Sequence, residues 1–177
     1  RTAIDPVLLA ASVKADAGQN ILDVGSGIGA AALCVARRIE GTHVIGIERD
    51  QVLVKVAIRN AAVNQLSDRV DFINGDLRSP PLFLPPGRFD HVIANPPYYE
   101  ASRANHSPNQ LKSKATLEGI SDGANIQGSI TEDTSTSLLD WVEFCFLMVR
   151  PKGTITIIYS AQRLDALLGC ILSLIHI

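Results

Sequence analysis

The chain has 177 residues, 46% of them hydrophobic and 19% charged, with a formal net charge of -2. That length supplies one domain with a sizeable core and is short for two. The near-neutral charge argues against a nucleic-acid partner held by a global basic field, and leaves only local patches for such a role.

Three cysteines, Cys34, Cys145 and Cys170, lie far apart in apolar segments and read as buried thiols of a reducing compartment. They lack Cys/His ligand spacing, so no metal site is expected. With neither a signal peptide nor a membrane-spanning run in view, the cytoplasm is the expected location and no membrane contact is expected.

In chain order, Thr2 or Asp5 is expected to cap a helix that begins at Pro6, carries Val7, Leu8, Ala11 and Val13, and ends at Gly18. In "NILDVGSGIG" a run with branched side chains leads into a glycine cluster, and the helix-forming "AAALCVARRIE" follows: strand, tight turn, helix. "HVIGIERD" reads as a second buried strand. The helix after it, "QVLVKVAIRNAAVNQL", has Val52, Val56, Ala57 and Val63 near helical spacing. "RVDFINGD" and "FDHVIAN" read as the third and fourth strands. An amphipathic helix from Leu138 to Val149, stopping before Pro151, leads into a fifth, "GTITIIYS". The terminal "LLGCILSLIHI" is too short to span a membrane and reads as part of a helix or a core strand cut short. Strands alternating with helices predict an α/β fold, a doubly wound and mainly parallel sheet in a single domain over 1–177.

From Ala101 to Ser137 the composition turns to Ser, Thr, Asn and Gly with scattered charge, which predicts a long loop with a short helix near Leu111 to Leu117. Loops of that length are functional lids, substrate-binding segments or passive insertions.

"DVGSGIGA" places Gly25, Gly27 and Gly29 where the first strand ends, so a ligand can approach the backbone closely and the next helix presents free N–H groups to an anion. Two cofactor classes fit. Gly25, Gly27 and Ala30 match the dinucleotide fingerprint, with Glu48 about twenty residues on to hold ribose hydroxyls. Alternatively, the Gly25-x-Gly27-x-Gly29 spacing resembles motif I of class I S-adenosylmethionine-dependent methyltransferases, in which the same acidic residue takes the ribose. Asp76, ending the third strand in "INGDL", favours the second class. The resemblance implies that Asp76 accepts from the adenine amino group while Leu77 packs on the ring, and that Asp23, Ser26 and Arg49 complete the cofactor site.

"NPPY", Asn95 to Tyr98, ends the fourth strand and resembles motif IV of amino-methyltransferases, which act on exocyclic nitrogens of adenine or cytosine or on a glutamine amide. An exocyclic amino nitrogen is a poor nucleophile because its lone pair is delocalised into the ring. Two acceptors, the Asn95 side-chain oxygen and the Pro96 carbonyl, would hold its hydrogens and face the charge that grows as nitrogen attacks. Pro96 and Pro97 lock φ and restrict the residues before them, so the acceptors are set before substrate arrives. Tyr98 offers a stacking face to an extruded base. The resemblance also implies that Asn95 borders the cofactor, whereas Tyr99 reads as a packing residue.

Together with "IDPVLLAAS" and "VRPKGTITIIYSAQRLDALL", these stretches resemble the family of the tRNA1(Val) adenine-37 N6-methyltransferase. The resemblance implies an N-methyltransferase acting on adenine N6 in tRNA or another RNA, with a protein glutamine amide or a non-catalytic binding role as alternatives. It also implies that the opening helix lies over the cofactor site with Asp5 near the methionine end. Arg103, His106, Lys112 and Lys114 could meet phosphates, although a solvated surface accounts for them equally well. The segment from Ser113 to Ser137 is longer than the family's. The family's sheet has seven strands, so a chain that ends soon after the fifth is expected to be a fragment or to lack the last two.

Overall fold

A computed structural model describes residues 4–97 and 136–175, and every element below lies in the compact unit Arg1–Pro96 with Leu138–Ile177. In order they are α1 (Asp5–Ser12), β1 (Asn20–Val24), α2 (Ala30–Arg38), β2 (His43–Glu48), α3 (Gln51–Val63), β3 (Val70–Asn74), β4 (Phe89–Ala94), α4 (Leu138–Met148), β5 (Val149–Ile157), a short 3-10 turn (Ala161–Arg163) and α5 (Leu164–Ile175). The five strands form one sheet in the order β3-β2-β1-β4-β5, and every pairing is parallel. The expected α/β class, doubly wound with a parallel sheet, is what the chain adopts.

Strand order reverses between β1 and β4, which pair from Ile21 opposite His91 to Val24 opposite Ala94. The crevice beyond that pair is where open α/β sheets bind ligands. Both neighbouring strands are buried on both faces, which explains their largely apolar runs Ile21-Leu22 and Val92-Ile93-Ala94. One core cluster gathers Leu9, Val35, Ala57 and Phe72 of α1, α2, α3 and β3 around Ile21 and Ile93. The other gathers Trp141, Phe144, Cys145 and Met148 of α4 around Leu22, Val24 and Val92.

Several local expectations are corrected. The first helix has no side-chain cap, starts at Asp5 with proline in its first turn, and stops at Ser12 instead of continuing to Gly18. Its buried residues are Leu9 and Ala10, with Val13 just beyond, while Val7, Leu8 and Ala11 face outward. On its inner side, Arg38 of α2 donates to the carbonyls of Ala10 and Val13, at the end where helical carbonyls lack their regular partners. In α3, Val52, Val56 and Val63 are exposed, and Val54, Ala57 and Ala61 pack inward, because small side chains let this helix lie close to the sheet. The fifth strand begins at Val149, straight from α4, and takes in Pro151, which an edge strand tolerates. Of the two readings of the terminal apolar stretch, helix or strand, the helix is what forms, as far as Ile175. Burial pushes the Cys145 thiol up to about 12, whereas Cys34 and Cys170 are only partly buried. The expected loop over 101–137, apart from its last two residues, lies outside the described residues, as do Thr2, Tyr98 and Tyr99.

Candidate active site

The glycine loop is tied to the end of β2. The amides of Gly25 and Ser26 donate to the Ile47 carbonyl at 2.8 and 3.0 Å, and Gly29 N–H closes a turn on Ser26 O at 2.8 Å. All three glycines have positive φ, at 65°, 55° and 85°. A Cβ on Gly25 would lie 2.2 Å from the Trp141 ring, and one on Gly29 would lie 2.5 Å from Phe72. At Gly27 it would meet nothing within 4 Å. Gly25 and Gly29 are therefore required by packing from opposite faces of the sheet, and Gly27 is the residue whose backbone faces open space.

Glu48, at the end of β2, organises the rim. Its Oε2 accepts from Gly27 N–H at 2.9 Å and its Oε1 from Asp50 N–H at 2.8 Å. Each carboxylate oxygen has two lone pairs, so one on each remains for a further donor. Asp50 in turn caps α3 through Val52 N–H at 2.7 Å. The Asn74 side-chain amide fixes the turn after β2 by donating to the carbonyls of Glu48 and Arg49.

Asp76 follows β3. Its Oδ1 accepts from the Arg78 amide at 2.9 Å, and its Oδ2 meets the Arg78 guanidinium at 3.4 Å. The amide bond first, and then the Arg78 and Arg49 charges, hold the Asp76 carboxyl below its ordinary value despite some desolvation, so it stays an acceptor at neutral pH. Leu77 is partly buried against the α4-side core. Arg49 is exposed and acts on Asp76 only through its charge.

Asp23 lies beneath the loop, 2% exposed, and accepts from the Ala32 amide at 3.1 Å in the first turn of α2. Burial drives its pKa up to about 7, the Ala32 bond opposes that, and the charge of Glu48 adds to it. Ser26 turns its side chain down toward Gly46, where a Cβ would come 2.7 Å from its hydroxyl oxygen, and that oxygen has no partner.

Beyond β4, Asn95 is half-buried, Pro96 buried and Pro97 exposed. Asn95 therefore lies one residue past Ala94, whose register partner is Val24, the residue before Gly25. The sheet thus brings the glycine loop, Glu48, Asp76 and Asn95 to one edge, while Tyr98 lies outside the described residues. Asp5 sits half-buried in the first turn of α1.

Three residues were missed by the sequence reading. Phe72 packs beneath both Gly29 and Gly46, and Gly46 is a glycine because a Cβ there would strike Phe72 at 2.5 Å. A glycine inside a strand signals such close approach and could have pointed to it. Trp141 is the third.

Comparison with known proteins agrees with this geometry. Residues 4–116 match the family described as methyltransferase small domain. A tRNA1(Val) (adenine(37)-N6)-methyltransferase of Porphyromonas gingivalis is 36% identical over 124 residues, 67% of this chain and 48% of that protein. A release factor glutamine methyltransferase of Thermodesulfovibrio yellowstonii is 28% identical over 77% of this chain and 49% of that protein. The chain therefore spans about half the length of these curated relatives. The solved structure of a predicted O-methyltransferase from Agrobacterium tumefaciens shares the fold, with a TM-score of 0.67 and 23% identity over 93% of this chain and 65% of that one. The family match leaves the dinucleotide reading without support. The chain belongs to the methyltransferase small domain family, within the class I S-adenosylmethionine-dependent methyltransferases.

Proposed function

We propose that the chain binds S-adenosylmethionine across the carboxyl ends of β3, β2 and β1 and directs its methyl group to an exocyclic nitrogen, N6 of an adenine in tRNA. The observation that carries this reading is the β1–β4 register, which sets Asn95 beside the glycine loop at the strand-order switch.

The residues present fit the cofactor. Glu48 has one free lone pair on each oxygen for a pair of ribose hydroxyls, Asp76 is an ionised acceptor for an adenine amino group, and Gly27 leaves room for the backbone to be approached. From β3 to β1 the order is then adenine, ribose, amino-acid portion. When bound, the cofactor supplies a methyl group on cationic sulfur.

In this reading Asn95 Oδ1 and the Pro96 carbonyl accept the two hydrogens of the acceptor's NH2 group and orient its lone pair. Asn95 and Pro96 would hold the nitrogen's hydrogens as it takes the methyl group from the bound cofactor, which would leave as the neutral thioether, and the surplus proton would leave to water. Orientation and preorganised acceptors provide most of the rate. A protein glutamine amide is the second reading, supported by the release-factor relative. An RNA partner is supported by the tRNA-modifying relative, with Tyr98 as the stacking face.

Asn95→Ala is expected to lower turnover about 10²-fold or more with cofactor affinity nearly unchanged. Calorimetry with S-adenosylhomocysteine beside a methyl-transfer assay tests this. Full activity in the variant would remove Asn95 from the mechanism.

A further inference from the structure

Trp141 is the chain's single tryptophan, and its indole lies against Gly25, the first residue of the loop. The residue is 9% exposed, and its Nε1–H is buried without a hydrogen-bond partner. Buried indole N–H groups ordinarily find an acceptor. The benzo edge, Cη2 and Cζ3, faces Gly25, and the helix carrying it packs on β1 and β4, the strands that flank the switch. The unsatisfied donor therefore belongs to the ring packed under the loop, on the helix that covers the two strands of the switch.

We propose that Trp141 is a cofactor-binding residue whose indole N–H donates to the α-carboxylate of the cofactor's amino-acid portion. The inference rests on the cofactor reading above. With adenine at β3 and ribose at β2, the part that reaches β1 and β4 is the amino-acid end. Indole nitrogen only donates, and of the two charged groups at that end the ammonium also only donates, which leaves the carboxylate as the acceptor. Such a donor is a cost in the free protein that ligand binding removes, so stability and affinity should respond to its loss in opposite directions.

Trp141→Phe keeps a ring against Gly25 and deletes the donor. Calorimetric titration of wild type and variant with S-adenosylhomocysteine and with 5′-methylthioadenosine, which lacks the amino-acid portion, tests the assignment. The variant is expected to melt no lower than wild type, to bind S-adenosylhomocysteine about tenfold or more weakly, and to bind methylthioadenosine as wild type does. Unchanged affinity for S-adenosylhomocysteine, or equal losses for both ligands, would overturn it. A second measurement needs no variant. With 15N-tryptophan the protein gives one indole resonance, which should move downfield with S-adenosylhomocysteine and stay in place with methylthioadenosine; the same response to both would also overturn the assignment. Wild type that binds neither ligand would overturn the cofactor reading and this inference together, whereas normal binding with an indifferent Trp141 overturns the inference alone.

Discussion

Gly25 and Gly27 share a left-handed backbone but differ in what a methyl group would meet there. Gly25→Ala would push a Cβ to 2.2 Å from the Trp141 ring, so strain and overpacking combine. A loss of about 2 to 4 kcal/mol in denaturant unfolding is expected. Gly27→Ala meets open space, so only backbone strain of about 1 to 2 kcal/mol is expected, while cofactor binding should suffer far more than stability. Equal stability losses in the two variants would contradict this division of roles. Glu48→Ala removes the acceptor that ties Gly27 to the end of β2 and is proposed to hold the ribose. Calorimetry should find S-adenosylhomocysteine binding weakened by about 1 to 3 kcal/mol. Asp23 carries the pH dependence at this scale. Its folded-state pKa of about 7 stands above the ordinary 3.8, so the folded state holds an extra proton between those values. The stability this group contributes is full below about 4 and is lost as pH rises to about 7. Asp23→Asn should therefore gain stability relative to wild type as pH rises through that window, with the gain levelling off above it. A difference that stays flat from pH 4 to 8 would contradict the burial of an ionisable Asp23.

At the scale of elements, Asp90 joins three strands at the sheet's amino end, accepting from Asn20 N–H of β1 at 2.8 Å and from Arg150 Nε of β5 at 2.6 Å. Next to it, His91 bridges Thr154 at 2.6 Å and Gln19 at 2.8 Å. Asp90→Ala should cost about 1 to 3 kcal/mol of stability through these hydrogen bonds. It should leave cofactor affinity unchanged, because five residues of strand, roughly 16 Å, separate it from Asn95. Weakened cofactor binding in a variant that folds would show that the two ends of β4 are coupled. Strands such as "HVIGIE" and "FDHVIA" were legible because both faces are buried and the apolar runs are nearly continuous. The faces of α1 and α3 were not legible. In α3 the large exposed valines Val52, Val56 and Val63 masked a buried stripe of Val54, Ala57 and Ala61 whose small side chains suit close approach to the sheet. Hydrophobicity alone ranks Val above Ala and so selects the wrong side.

Across the whole molecule, the placement of the glycine loop, Glu48, Asp76 and Asn95 was legible because each lies at or just past the carboxyl end of a strand, and a parallel sheet brings all those ends to one edge. Trp141 and Phe72 were not legible, since their roles arise from packing beneath Gly25, Gly29 and Gly46 that no local pattern encodes. This convergence of two carboxylates and an amide at the strand-order switch is what supports the proposed N-methylation. The most direct test is to incubate the protein with S-adenosylmethionine carrying a deuterated methyl group, together with total RNA and protein, and to locate the label by mass spectrometry in digests of both. The account predicts the deuterated methyl group on N6 of an adenosine in tRNA, and its disappearance with Asn95→Ala. A label on an oxygen atom, or one retained in full by Asn95→Ala, would contradict it, and a label on a protein glutamine amide would overturn the RNA acceptor while preserving the chemistry.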